Sequence, residues 1–185
     1  MHEEMVFAGF GGQGVLFAAQ LLAYAGMMQG KQVAWVPSYG PEMRGGTASA
    51  SVIISDDEIG SLVVSQPTVA VVMNPPSLEK YEPMVKPGGL LVVNRSLISQ
   101  PVTRTDINVL EVPANDVAVE LGNDRLANMV VLGAVLAATN VVPLEMVVAA
   151  MKKNLTGPKA SLIDANEAAI RRGMELTPVV GRLGR

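Results

Sequence analysis

The chain has 185 residues, enough for one domain with a sizeable buried core, and its net charge of −3 gives nucleic acid no basic footprint. It has no cysteine, which excludes a disulfide framework and cysteine-held zinc or iron–sulfur clusters within these residues. The single histidine, His2, stands near a terminus, so histidine-based acid–base and metal chemistry has almost nothing to work with.

Glu4 to Phe10 is a short apolar run that ends in glycines, the pattern of a buried first strand. Val15 to Met28 is apolar nearly all round, broken mainly by Gln20, and Gly30 supplies a stop; this reads as a helix covered on every side, by its own domain or by another chain. Gln32 to Val36 is the second strand. Ala48 to Ile54 and Ile59 to Val64 flank Asp56-Asp57-Glu58 and predict a hairpin around a solvated acidic turn, hence at least one antiparallel pair.

Thr68 to Met73 is a further strand, followed by Asn74-Pro75-Pro76 and a short helix over Ser77 to Met84. Leu90 to Val93 and Val109 to Val112 complete the strands, and Asn115 is expected to cap a helix running to Leu121. Asn128 to Thr139, Pro143 to Lys153 and Ser161 to Leu176 carry apolar residues at helical spacing, with Ser161 and Asp164 as the start signal of the last. Met129 to Met151 is broken by Asn140, Pro143 and Glu145, so it predicts two buried helices rather than a membrane span. No basic segment precedes the first apolar run, so no secretory signal is expected; the expectation is a cytoplasmic protein without nucleic-acid or membrane partners. The alternation predicts an α/β fold: a three-layer α/β/α sandwich on a mixed, mostly parallel, Rossmann-like sheet. One domain over residues 1–177 is expected, with a disordered tail over 178–185.

Two glycine-bracketed loops follow the first two strands. Gly9-Phe10-Gly11-Gly12-Gln13-Gly14 has the GxGxxG spacing of a phosphate cradle, and Ser38-Tyr39-Gly40-Pro41-Glu42-Met43-Arg44-Gly45-Gly46 is the second loop. Ligands of open α/β sheets bind beyond the carboxyl ends of the strands. Those ends offer Gly9, Gly11, Gly12, Gln13, Gly14, Ser38, Glu42, Arg44, Asn74, Asn94 and Asn115 for an anionic ligand, although glycine and asparagine are also simply good turn formers. The acid that a dinucleotide site needs at the end of the second strand is missing, because that strand ends Val36-Pro37-Ser38; the NAD reading is weak. Arg44 could grip a phosphate or carboxylate with Glu42 orienting it, or the two could form an ion pair that fixes the loop at a subunit contact. Arg171-Arg172 reads as a charged last turn, and the eleven methionines as core or interface filler. No Cys/His pair, no Ser/His/Asp set and no GDG…NN thiamine signature is present, so the chain is not expected to run chemistry alone.

The two loops, together with Gly122-Asn123-Asp124-Arg125-Leu126-Ala127-Asn128-Met129, resemble the gamma subunit of 2-oxoacid:ferredoxin oxidoreductases over about Glu3 to Gly173. Pro37 to Gly46 is most similar to the 2-oxoglutarate branch. The resemblance implies a gamma subunit that is inactive in isolation and works with alpha, beta and delta-type subunits. Thiamine diphosphate and magnesium would be held by alpha and beta, and iron–sulfur clusters by beta and delta. It also implies ferredoxin as the acceptor reached through the complex, coenzyme A as a candidate ligand of the glycine loops, and room for a gamma–gamma contact. The alternatives from other classes are a free-standing nucleotide-binding protein and a purely structural assembly module.

Overall fold

The first strand, β1 (His2–Phe10), buries Met5, Val6, Phe7 and Ala8 in succession, which is the signature of a central strand covered on both faces. The computed structural model describes residues 1–39 and 46–178; Glu42, Arg44 and nearly all of the expected disordered tail lie outside the described residues. The described strands form one six-stranded sheet in the order β2 (Gln32–Tyr39), β3 (Thr47–Ser55), β1, β4 (Val69–Val72), β5 (Leu90–Asn94), β6 (Asn108–Val112). From β1 to β6 the pairings are parallel, whereas β3 runs antiparallel to both β1 and β2. The sheet is therefore mixed and mostly parallel, with β3 alone running against the rest.

The antiparallel pair is not the expected one. β2 and β3 are the paired strands, with Tyr39 opposite Ala48, so the second glycine-bracketed loop is the connection between them. Residues 59–64 form no strand. β3 already has β1 on one edge and β2 on the other, which leaves no edge for a third partner. Val64 instead packs onto the sheet from outside.

Alternation along the strands separates two apolar layers. Met5, Phe7, Val52, Ile54, Val71 and Val92 face α1 (Val15–Met28) and α4 (Ala127–Thr139), with α3 (Ala114–Glu120), α5 (Leu144–Asn154) and α6 (Ile163–Leu176) joining the same core. Val6, Ala8, Ala70, Val72, Leu91 and Val93 face a thinner layer, made by α2 (Pro75–Tyr81), the turn Glu82–Met84 and the segment through Ile98 and Ile107. The apolar α1 is covered on one side from within the domain, by the sheet, α5 and α4, while Tyr24 and Met27 stay exposed and Leu16 and Phe17 are half-buried. The domain thus supplies part of the cover that the apolar sequence calls for and leaves this face open. The long apolar stretch is two helices, α4 and α5, parted by Asn140 in the left-handed conformation at φ 52°. No helix of the described residues is long and apolar enough to cross a membrane.

Two helix starts differ from expectation. Asn115 does not cap α3: Pro113 holds that position, and Asn94 Oδ1, from the end of β5, accepts from the Ala114 amide at 3.2 Å. Asn94 Nδ2 then donates to Asn115 Oδ1 at 2.8 Å, so a neighbouring strand end does the capping. The Ser161 signal marks a tight turn over Gly157–Leu162 instead of the start of α6, and the Ser161 hydroxyl donates back to the Pro158 carbonyl at 3.0 Å.

The irregular segment on the thin side is pinned by a buried carboxylate. Glu82 Oε1 accepts from the Thr103 amide at 2.6 Å, the Thr103 hydroxyl at 2.8 Å and the Arg104 amide at 2.9 Å. Arg104 Nη1 donates to the Glu82 carbonyl at 3.1 Å, which closes the network. Burial pushes the Glu82 carboxyl up, but the donors from Arg104 and Thr103 outweigh it and hold the group below its ordinary 4.5. Its contribution to stability is thus complete above 4.5 and lost as pH falls through the lowered value. Glu82→Ala leaves two amides without an acceptor and is expected to cost about 1–3 kcal/mol, read from the denaturant midpoint of the full chain. Glu82→Gln keeps one acceptor oxygen, so it should cost less and remove the acid sensitivity; equal costs would show that these bonds do not hold the segment.

Beyond the end of β3, Asp56 pairs with the Lys31 ammonium and with the N-terminal ammonium, and these hold its carboxyl down at about 2 from an ordinary 3.8. The contribution of the pair is present above 3.8 and lost as pH falls through about 2. An NMR titration should find the Asp56 midpoint near 2 and see Lys31→Ala move it toward 3.8. A parent midpoint of 3.8 would show that the pair does not form in solution.

Candidate functional site

The carboxyl ends of β1 and β4 lie side by side, and the glycine turn leaving β1 is braced by its own glutamine. Gln13 Oε1 accepts from the Phe10 amide at 2.6 Å, and Gln13 Nε2 donates across to the Met73 carbonyl at the end of β4 at 3.3 Å. A Cβ at Gly9 would stand 2.5 Å from Gln13 Oε1 and 2.9 Å from Met73 Cβ, so only glycine lets the brace fold flat over the strand. The Gly11 amide donates to the Gly46 carbonyl at 3.2 Å. The glycine turn therefore touches the far end of the second loop. The Gln13 amide turns back to the Phe10 carbonyl, so two of the four amides over Gly11–Gly14 are spent within the protein.

Gly14 caps α1 with φ 73°, and its carbonyl accepts both from the Ala18 amide at 3.0 Å and from Asn128 Nδ2 at 3.1 Å. Among the described residues no side chain caps α1, and no acid stands in its first turn.

Beside this turn is a recess of about 150 Å³ lined by Gly12, Gln13, Met73, Asn115, Asp124, Arg125 and Ala127. Its lining sets Gly12 and Gln13 of the glycine turn beside Arg125 and Asp124, so a guanidinium able to bind a phosphate-sized anion stands there next to a carboxylate. Asn123 Oδ1 accepts from the Arg125 amide at 3.1 Å and sets the turn that presents the arginine at the head of α4.

The expected site residues do not converge on one place. Gly12 and Gln13 line the recess, Gly9 and Gly14 shape the turn, and Gly11 links the loops. Asn74 is fully buried and caps α2, its Oδ1 accepting from the Ser77 amide at 2.9 Å. Ser38 lies at the end of β2 and lines a second recess over the other sheet face. Glu42 and Arg44 lie outside the described residues. Arg125 was not among the residues expected at the site, although it stands in the Gly122–Met129 run; a lone arginine before a helix carries no spacing that marks a ligand.

Residues 4–176 match the family model described as pyruvate ferredoxin/flavodoxin oxidoreductase. The chain is 32% identical over 179 residues to the 2-oxoglutarate synthase subunit KorC of Methanocaldococcus jannaschii, covering 95% of this chain and 94% of that one. It is 37% identical to the ketoisovalerate oxidoreductase subunit VorA of Methanothermobacter thermautotrophicus, but spans only 35% of that longer relative. The keto/oxoacid ferredoxin oxidoreductase gamma subunit of Geobacter sulfurreducens superposes with a TM-score of 0.80 at 30% identity, over 94% of this chain and 97% of that one. A 2-oxoglutarate:ferredoxin oxidoreductase from Magnetococcus marinus, solved with 2-oxoglutarate, coenzyme A and succinyl-CoA bound, gives 0.86 over 98% of this chain and 32% of that chain. At 20% identity that likeness speaks for the fold alone. With the family matched nearly end to end in sequence, the chain belongs to the pyruvate ferredoxin/flavodoxin oxidoreductase family.

Proposed function

We propose that this chain is the gamma subunit of a 2-oxoacid:ferredoxin oxidoreductase that acts on 2-oxoglutarate, and that it performs no chemistry by itself. The observation that carries the reading is the end-to-end match with KorC, which covers 94% of that subunit. In such a complex a 2-oxoacid is oxidatively decarboxylated, the acyl group passes to coenzyme A, and ferredoxin takes the electrons. Thiamine diphosphate, magnesium and the iron–sulfur clusters belong to the alpha, beta and delta-type partners. Affinity purification of the tagged chain from its native host should bring down thiamine- and cluster-bearing partner chains. Recovery of the chain alone under gentle conditions would overturn the assignment.

Within the complex, the recess beside Gly12 and Arg125 receives a phosphate of coenzyme A. What supports this is the glycine turn at Gly12 and an Arg125 guanidinium able to bind two phosphate oxygens at once, which has to outweigh the Asp124 carboxylate of the same lining. Arg125→Ala in the assembled complex is expected to weaken coenzyme A about tenfold or more, since a charge-assisted hydrogen bond contributes about 1.5–3 kcal/mol. Arg44→Ala is expected to act in the same direction. Calorimetry with coenzyme A reads both variants. Unchanged affinity in an assembled Arg125→Ala complex would remove coenzyme A from this recess.

A further inference from the structure

On the other face of the sheet, the ends of β2 and β3 and one side of α2 enclose a second recess of about 160 Å³ that the coenzyme A reading does not use. Ser38 and Ser49 are register partners on β2 and β3, and Thr47 lies two residues from Ser49 on the same face. These three hydroxyl residues form one wall. Ser77 and Lys80 of α2 form the opposite one.

Two features show that the recess is built to hold a polar group. The Ser77 hydroxyl is enclosed, the residue being 1% exposed, yet it has no hydrogen-bond partner among the described residues. Nδ2 of Asn74, three residues before Ser77 and outside the lining, is likewise enclosed without a partner among the described residues. A buried donor left without a partner is unfavourable, and a bound acceptor would relieve that. The charge balance selects the ligand: among the described residues the lining contains the Lys80 ammonium and no carboxylate. The volume admits a group of a few heavy atoms and not a nucleotide.

We propose that this second recess binds a phosphoryl oxyanion, with Lys80 as its counter-charge and the Ser77, Ser38, Ser49 and Thr47 hydroxyls as donors around it. Oxygens pointing in different directions match donors on opposed walls, where a planar carboxylate would leave part of the set unused. The phosphoryl group could belong to a free phosphate ester or to a second phosphate of the coenzyme at the first recess. The proposal itself does not depend on the coenzyme A assignment.

The test uses the full chain carrying Arg125→Ala, so that the first recess is silenced, with inorganic phosphate as the probe in calorimetry. Binding should persist in this background. Adding Lys80→Ala should weaken it about tenfold or more, and adding Ser77→Ala by several-fold, with circular dichroism unchanged. Lack of phosphate binding in the Arg125→Ala chain, or binding indifferent to Lys80→Ala, overturns the proposal. Acetate displacing phosphate at equal concentration also overturns it, because the recess would then be a general carboxylate site. A comparison of coenzyme A with its 3′-dephospho form identifies the source. If Lys80→Ala weakens only the former, the coenzyme supplies the phosphoryl group; if it weakens neither while inorganic phosphate is lost, a free ester does. Either result stands with Lys80-dependent phosphate binding in support of the site.

Discussion

The first recess depends on one close approach, that of Gly14 to Asn128. A Cβ at Gly14 would lie 2.4 Å from Asn128 Nδ2, and the same nitrogen donates to the Gly14 carbonyl. Asn128 Oδ1 meanwhile accepts from the Met129 amide at 2.9 Å, so this half-turn of α4 is locked to the first turn of α1 by a single side chain. The heads of two helices are thereby held together at the carboxyl edge of the sheet. Arg125, three residues before Asn128, is carried to the mouth of the glycine turn as a consequence. The positive φ of 73° at Gly14 and the absence of a side chain are needed together, since any other residue would strain the backbone and displace Asn128.

A second close approach supports the first from behind. Ideal Cβ atoms at Gly133 of α4 and Gly173 of α6 would each fall 1.9 Å from a carbonyl of the opposite helix, Ile170 and Val130 respectively. The two helices therefore cross backbone to backbone. With the sheet on its other side, α4 is buried through nearly all of its length. This reciprocal contact brings the two backbones together at a place where a side chain at either position would push them apart. The position of Asn128, and so of Arg125, depends on that contact.

Much of the frame was legible in the residues. Strands β1, β4, β5 and β6 are short apolar runs bounded by glycine, proline or asparagine, and α1, α4 and α5 carry enough continuous apolar sequence to be placed within a residue or two. What could not be read was long-range pairing. Residues 59–64 have the composition of a strand, but β3 has no edge to give them, and edge occupancy is a property of the whole sheet. The capping of α3 by Asn94 and the seating of Glu82 under Thr103 and Arg104 fail for the same reason: the partners are about twenty residues apart, and no periodicity connects them. At the candidate site, the glycine turn was visible from its spacing. The brace by Gln13, the lock by Asn128 and the presentation of Arg125 were not, because each depends on β4 or α4 arriving at the turn.

Burial divides the polar residues at this edge of the sheet into two groups with different work. Asn128 and the side chain of Gln13 spend their hydrogen bonds on the protein at short range, and Asn74 spends its Oδ1 there. Replacing them unsatisfies backbone groups, so their loss is felt in folding before it is felt in binding. Arg125 and Lys80 are solvent-exposed, and their charges are already hydrated. Removing either costs the fold little, because an exposed charge has small net interaction with its surroundings. The two cations also stand on opposite sides of the strand ends, one reached from α4 and one from α2, with Met73 and Asn74 between the elements that carry them. The carboxyl edge thus separates a rigid neutral frame, built from amides and carbonyls that satisfy one another, from charged groups placed on that frame, and ligand affinity can change through the charged groups without disturbing the turn that presents them.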